Sequence, residues 1–253
     1  MALRAARAGA AVLREAGLSH RAGRLKQQPG DYVTDVDTAS EAAIVEVLAR
    51  EASGVAILAE EAGGVRAGTM WAVDPLDGTT NFRRGFPVVG VSVALLRDRV
   101  PEVGVVIAPW LGLELTAERG RGAAVNGEPL PALPPGDPAS AVVATGFPFR
   151  RKQRLAAYAP VFAASLERFE DPRRAGAATL DLGWTAARTF DGFFELGLGT
   201  WDVAAGALMV REVGGAVSDW SGADRWLETG DILAGAPAIH EALLELAAQP
   251  LQG

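Results

Sequence analysis

The chain has no cysteine among its 253 residues. That absence excludes disulfides, thiolate metal sites and a cysteine nucleophile, and it fits a reducing compartment. Lysine is nearly absent as well: Lys26 and Lys152 are the only two, the other basic residues are arginine, and acidic groups outnumber basic ones to give a net charge of −7. Nucleic acid is therefore not expected as the primary partner, because such binding relies on basic residues that neutralise phosphates. There are two histidines, His20 and His240, and neither falls within a recognisable catalytic motif. Each reads as a surface or helix-end residue. No apolar run approaches the ~20 residues needed to cross a bilayer. The opening stretch MALRAARAGAAVLREAGL carries arginines at positions 4, 7 and 14 where a signal peptide would have its apolar core. A soluble, cytoplasmic protein without a membrane partner is expected. A nucleotide-cradling G-x-x-x-x-G-K loop is missing too.

What is present falls into two halves. Leu3, Ala6, Ala10 and Leu13 are spaced for one face of an N-terminal helix. TDVDTASEAAIVEVLAREASG predicts a second helix, with Asp37 or Thr38 as cap, Glu41 in the first turn and Gly54 as stop. VAILAEE and TMWAVD are apolar runs of strand length that end in carboxylates. From Val88 to Val125 the pattern is a strand meander, closed by the tight-turn pair Asn126-Gly127. PLPALPPGDPAS then breaks all periodicity, and it marks the expected boundary between an α+β half, residues 1–135, and an α/β half, residues 136–253. In the second half strands and helices alternate, which implies a sheet layered between helices.

Five acidic residues stand at the ends of elements: Asp37, Glu61, Asp74, Asp77 and Asp202. Converging carboxylates repel unless a cation or a shared proton compensates them. All-oxygen ligands select Mg²⁺, Mn²⁺ or Ca²⁺ over zinc. A helix starting at Thr79 in WAVDPLDGTTNF would aim free backbone N–H groups back toward Asp74 and Asp77, an arrangement that receives a phosphate. Metal on one side and amide donors on the other point to metal-assisted phosphoryl transfer to water.

With those residues identified, the chain resembles the inositol monophosphatase family of Mg²⁺-dependent, lithium-sensitive phosphatases. WAVDPLDGTTNF matches the family signature W-x-x-D-P-[IL]-D-G-T-x-N-F, and WDVAAGALMVREVGG matches W-D-x-A-A-G-x-x-x-x-x-E-x-G-G. The similarity runs from about Lys26 to Ala236. By position it implies that Glu61, Asp74 and the Leu76 carbonyl hold a first metal, and that Asp74, Asp77 and Asp202 hold a second. Thr79, hydrogen-bonded toward Glu61, would position the attacking water, and Asp37 would orient metal-bound water or a third ion. The amides of Gly78 and Thr79 would hold the phosphate, Asp77 and Asp202 would also contact the substrate, Glu195 would meet a ring hydroxyl, and Gly176, Ala177 and Ala178 would lie beside the ring. Lys26 matches a basic residue near the site. The resemblance also implies two or three Mg²⁺ ions per site with Mn²⁺ as a substitute, a layered α-β-α-β-α sandwich and a homodimer. Its implied substrate is inositol 1-phosphate or a similar sugar or polyol phosphate, with fructose 1,6-bisphosphate and NADP(H) or other nucleotide phosphates as alternatives. Some bacterial relatives act on transcription and RNA-processing machinery, so a mainly regulatory binding protein is the competing reading.

Overall fold

The computed structural model describes residues 1–18, 23–26, 32–149 and 151–248, so His20 lies outside the described residues. The first half contains α1 (Ala2–Ala16), β1 (Arg24–Leu25), β2 (Tyr32–Val33), α2 (Asp35–Glu51), β3 (Ala56–Ala59), β4 (Gly63–Gly64), β5 (Thr69–Asp77), α3 (Thr79–Arg84), β6 (Gly90–Arg97), β7 (Val100–Ala108), β8 (Leu113–Glu118), β9 (Gly122–Val125) and β10 (Glu128–Pro129). Eight of its strands form one sheet in the order β10-β9-β8-β7-β6-β5-β3-β4. All pairs are antiparallel except β3 with β5, which run parallel with Ala59 opposite Val73. The β9–β10 hairpin turns at Asn126 and Gly127, both at positive φ (51° and 85°), as a two-residue primed turn requires.

The second half contains β11 (Val142–Thr145), α4 (Leu155–Arg168), β12 (Asp171–Arg173), α5 (Ala178–Ala186), β13 (Gly192–Glu195), α6 (Thr200–Glu212), β14 (Ala216–Ser218), α7 (Trp226–Thr229), β15 (Ile232–Gly235) and α8 (Pro237–Ala248). Its sheet has the order β12-β11-β13-β15-β14, parallel across β12, β11 and β13 and antiparallel beyond.

Three apolar clusters stack these parts into five layers. Ala6, Ala10, Leu13, Ile44 and Leu48 of α1 and α2 pack on one face of the large sheet against Trp71, Val73 and Val93. The opposite face, with Ala72, Ala94 and Val106, meets Leu180 and Leu182 of α5 and Val203 to Val210 of α6. Those helices also touch Phe193 and Ala234 of the smaller sheet, whose far side is covered by Tyr158 and Val161 of α4 and Ile239 and Leu243 of α8. The order is helices, sheet, helices, sheet, helices, the layered α/β architecture expected from the sequence. The central cluster draws residues from both halves.

Some local expectations need correction. The cap of α2 is Thr34, not Asp37 or Thr38: Thr34 Oγ1 accepts from the amides of Val36 and Asp37, and the Asp37 carboxylate reaches back to the Thr34 N–H at 2.8 Å. This is a capping box closed by a short Thr-x-x-Asp. Glu41 lies beyond the first turn and is buried.

Candidate active site

Strand β5 is buried from Met70 to Leu76 and carries its first carboxylate inward: Asp74 is 1% exposed. Its pairing with β6 shifts between Asp74 and Asp77, at Pro75, which has no N–H to give to the ladder. The Leu76 N–H donates instead to Asp74 Oδ1 at 2.9 Å, and Ser40 Oγ donates to the Pro75 carbonyl at 2.8 Å. Gly78 then turns the chain at φ 85°, where a Cβ would stand 2.9 Å from the Val88 carbonyl, and α3 begins at Thr79. That left-handed turn needs glycine.

The parallel pairing of β3 with β5 brings in a second carboxylate. The Glu60 N–H donates to the Val73 carbonyl at 3.1 Å, extending the ladder one residue past Ala59. Glu60 therefore stands level with Asp74 and on the same face, while its neighbour turns away, because strand side chains alternate. A third comes from α6, where Asp202 in the first turn is 9% exposed and accepts the Gly199 N–H at 2.6 Å through Oδ2. Carboxylate oxygens of Glu60, Asp74 and Asp202 all lie within 4.8 Å of one another. Burial first, and then the charges of Glu60, Asp77 and Asp202, push the Asp74 pKa well above the usual carboxylate range. Asp74 Oδ2 is buried without a hydrogen-bond partner. A cation would satisfy that orphaned oxygen and relieve the repulsion, so the donor set fits a hard divalent ion.

The expected first carboxylate was Glu61, and here the geometry differs. Glu61 is absent from the three-carboxylate group; its side chain accepts from Lys26 Nζ at 2.5 Å, and its N–H is held by Glu41 Oε2 at 2.9 Å. Burial, with Glu60 and Asp37 nearby, raises the Glu61 pKa to about 7 in spite of Lys26. Lys26 also reaches Glu60 at 3.1 Å. Burial works against its charge, yet the two glutamates hold its pKa above the ordinary lysine value. Thr79 likewise bonds elsewhere than expected: Oγ1 donates toward Asp37 Oδ1 at 3.2 Å and the Leu76 carbonyl at 3.3 Å. Asp37, 1% exposed, thus links the cap of α2 to the start of α3, and burial raises its pKa.

Glu60, Asp74 and Asp202 open onto a cleft of about 780 Å³. Lys26, Asp74, Leu76, Asp77, Gly78, Thr79, Gly176, Ala178, Glu195 and Asp202 line it; Asp37, Glu61 and Ala177 do not. Asp77 Oδ2 accepts the N–H and Oγ1 of Thr179 at 2.8 and 2.7 Å, which ties it to the first turn of α5. Glu195, at the end of β13, lies over Gly146, where any Cβ would fall within 2.2 Å of its carboxylate. Sequence reasoning missed Glu60, Glu41 and Thr179. For Glu60 the parity of the strand decides only once its continuation past Ala59 is known, and that is set by pairing with β5.

The sequence model of the inositol monophosphatase family matches residues 1–252. Nus factor SuhB of Pseudomonas aeruginosa is 43% identical over 252 residues, covering 96% of this chain and 93% of that protein. The crystal structure of extragenic suppressor protein suhB from Bartonella henselae superposes with a TM-score of 0.89 at 34% identity, over 98% of this chain and 97% of that one. An inositol monophosphatase from Anabaena superposes with a TM-score of 0.87 at 33% identity, over 99% and 95%. With a buried, cation-seeking carboxylate cluster at the foot of its cleft, this chain belongs to the inositol monophosphatase family, a family of metal-dependent phosphatases.

Proposed function

We propose that the protein is a Mg²⁺-dependent phosphomonoester hydrolase acting on inositol 1-phosphate or a similar polyol phosphate. The observation that carries this is the convergence of Glu60, Asp74 and Asp202 around an oxygen of Asp74 that has no partner. In this reading Glu60, Asp74 and the Leu76 carbonyl hold one ion, and Asp74, Asp77 and Asp202 hold a second, with Mn²⁺ as a substitute. Bound cations would neutralise the phosphoryl oxygens and acidify the attacking water. Thr79 and Asp37 handle the proton: Thr79 Oγ1 accepts it from water while its own passes along the existing bond to Asp37 Oδ1. Burial already raises the proton affinity of that carboxylate. Gly78 and Thr79 line the cleft beside Asp77 and orient the phosphate, while Glu195 and Gly176 face the ring. Lys26 donates to both Glu60 and Glu61 and offsets their mutual repulsion. A homodimer in the cytoplasm belongs to the same proposal.

The likeness to the Anabaena inositol monophosphatase supports the substrate class. The name of the Pseudomonas relative, a Nus factor, supports a second reading in which the chain serves mainly as a binding protein. Phosphate release from inositol 1-phosphate and from fructose 1,6-bisphosphate, with and without Mg²⁺ and with lithium added, separates these. Metal-dependent, lithium-sensitive turnover of the inositol ester is expected. Preference for the bisphosphate would move the substrate, and no turnover of either would favour the binding role.

A further inference from the structure

The cleft wall that carries both Glu195 and Asp202 is one stretch of chain, joined by residues 196–201. Its middle is gripped from behind. The Leu198 N–H donates to the Gly230 carbonyl at 2.8 Å, and the Gly197 N–H donates to Asp231 Oδ1 at 2.9 Å. The same aspartate takes a guanidinium in a two-pronged pair: Arg154 Nη1 donates to Oδ1 at 2.6 Å and Nη2 to Oδ2 at 2.5 Å. Asp231 is 9% exposed, and neither it nor Arg154 lines the cleft. Arg154 belongs to the turn after β11. Its N–H donates to the Arg151 carbonyl at 2.8 Å, closing the turn that follows the cleft-lining residues Gly146, Phe147, Pro148 and Phe149. One buried carboxylate therefore ties the stretch from Glu195 to Asp202 to the turn at Arg151–Arg154, on the side where Glu195 overlies Gly146.

We propose that the Arg154–Asp231 pair is a positioning clamp that fixes the stretch 195–202 against the turn at 151–154, and so seats Glu195 to select polyol phosphates over phosphate esters without hydroxyls for it to meet. This rests on the hydrolase reading above. The clamp grips Gly197, two residues from Glu195, whereas Asp202 is held separately in the first turn of α6 by its own bond to the Gly199 N–H, so the seat of the ring is what the clamp governs. The planar fork of arginine fixes both distance and angle to a carboxylate, which a lysine ammonium cannot reproduce.

The test uses Arg154→Lys, Asp231→Asn and the double variant, each assayed on inositol 1-phosphate and on p-nitrophenyl phosphate. For the inositol ester, KM should rise about tenfold while kcat changes less than about threefold, and constants for the aryl ester should stay within about twofold. The double variant should lose no more than the worse single one, because both remove the same contact. Amide hydrogen exchange is read alongside: Gly197 and Leu198 should exchange faster in the variants while the amides of β13 keep their protection. Equal losses on both esters, or unchanged KM with unchanged exchange, would overturn the clamp. A wild type inactive on both esters would refute the hydrolase reading instead, and exchange at Gly197 would then decide the clamp by itself.

Discussion

At Glu60 and Glu61 two identical side chains sit side by side in the sequence and do different work. Glu60 joins Asp74 and Asp202, whereas Glu61 faces Lys26 and is held through its amide by Glu41. Glu60→Gln should therefore cost about 3 kcal/mol of transition-state stabilisation, roughly 10²-fold in kcat/KM. Glu61→Gln, which leaves the three-carboxylate group intact, should cost about tenfold at most, as removal of a supporting partner does. Phosphate release by the two purified variants checks this, and equal losses would return Glu61 to the centre. A second residue speaks to pH. His240, hydrogen-bonded at 2.8 Å to Ser218 Oγ, has its pKa lowered by burial. The folded state then binds a proton less readily than the unfolded chain. The stability this contributes is fully present above the ordinary imidazole value of about 6.5 and is lost as pH falls through it toward the folded value. Urea denaturation from about pH 8 to about pH 5 should show a shallower fall for His240→Asn than for wild type. Identical slopes would mean the histidine is equally titratable in both states.

Among the elements, the short link between β3 and β4 governs the site. Glu41 of α2 accepts the amides of Glu61 and Ala62, each at 2.9 Å, and so fixes where β3 ends and which way Glu60 points. Glu41→Ala should weaken Mg²⁺ affinity by about 10–100-fold, the usual effect of losing an outer support of a metal ligand, and Glu41→Gln should keep part of it. Equilibrium dialysis of the two variants measures the difference; unaltered affinity in Glu41→Ala would remove the supporting role. This scale also shows what sequence could reveal. Asp74, Asp77 and Asp202 stand out because each abuts an apolar run, and the Gly-Thr-Thr after Asp77 announces a turn into a helix, which α3 is. The choice between adjacent glutamates was hidden, because it depends on whether the strand continues past Ala59, and that is decided by its partner β5. The three-residue β12, with Pro172 at its centre, and the four-residue α7 escaped for a related reason: neither is long enough to show a period.

For the whole molecule, the five layers share a core. The proline-rich segment after Leu130 separates the two sheets in sequence, yet Ala94 and Val106 of the first pack in the same cluster as Leu182, Val203 and Phe193 of the second half. The site lies across that junction, with Asp74 contributed by one half and Asp202 by the other. Unfolding should accordingly be a single cooperative transition, with tryptophan fluorescence and far-ultraviolet circular dichroism giving coincident curves in urea. Two separated transitions would show that the halves hold together more weakly than their shared core implies. The central claim is that the converging carboxylates are a metal centre. Its most direct test is calorimetric titration of Mn²⁺ into wild type, Asp74→Asn and Glu61→Gln, with circular dichroism to verify that each is folded. The account predicts saturable binding to wild type and Glu61→Gln and its loss in Asp74→Asn; undiminished binding to folded Asp74→Asn would contradict it.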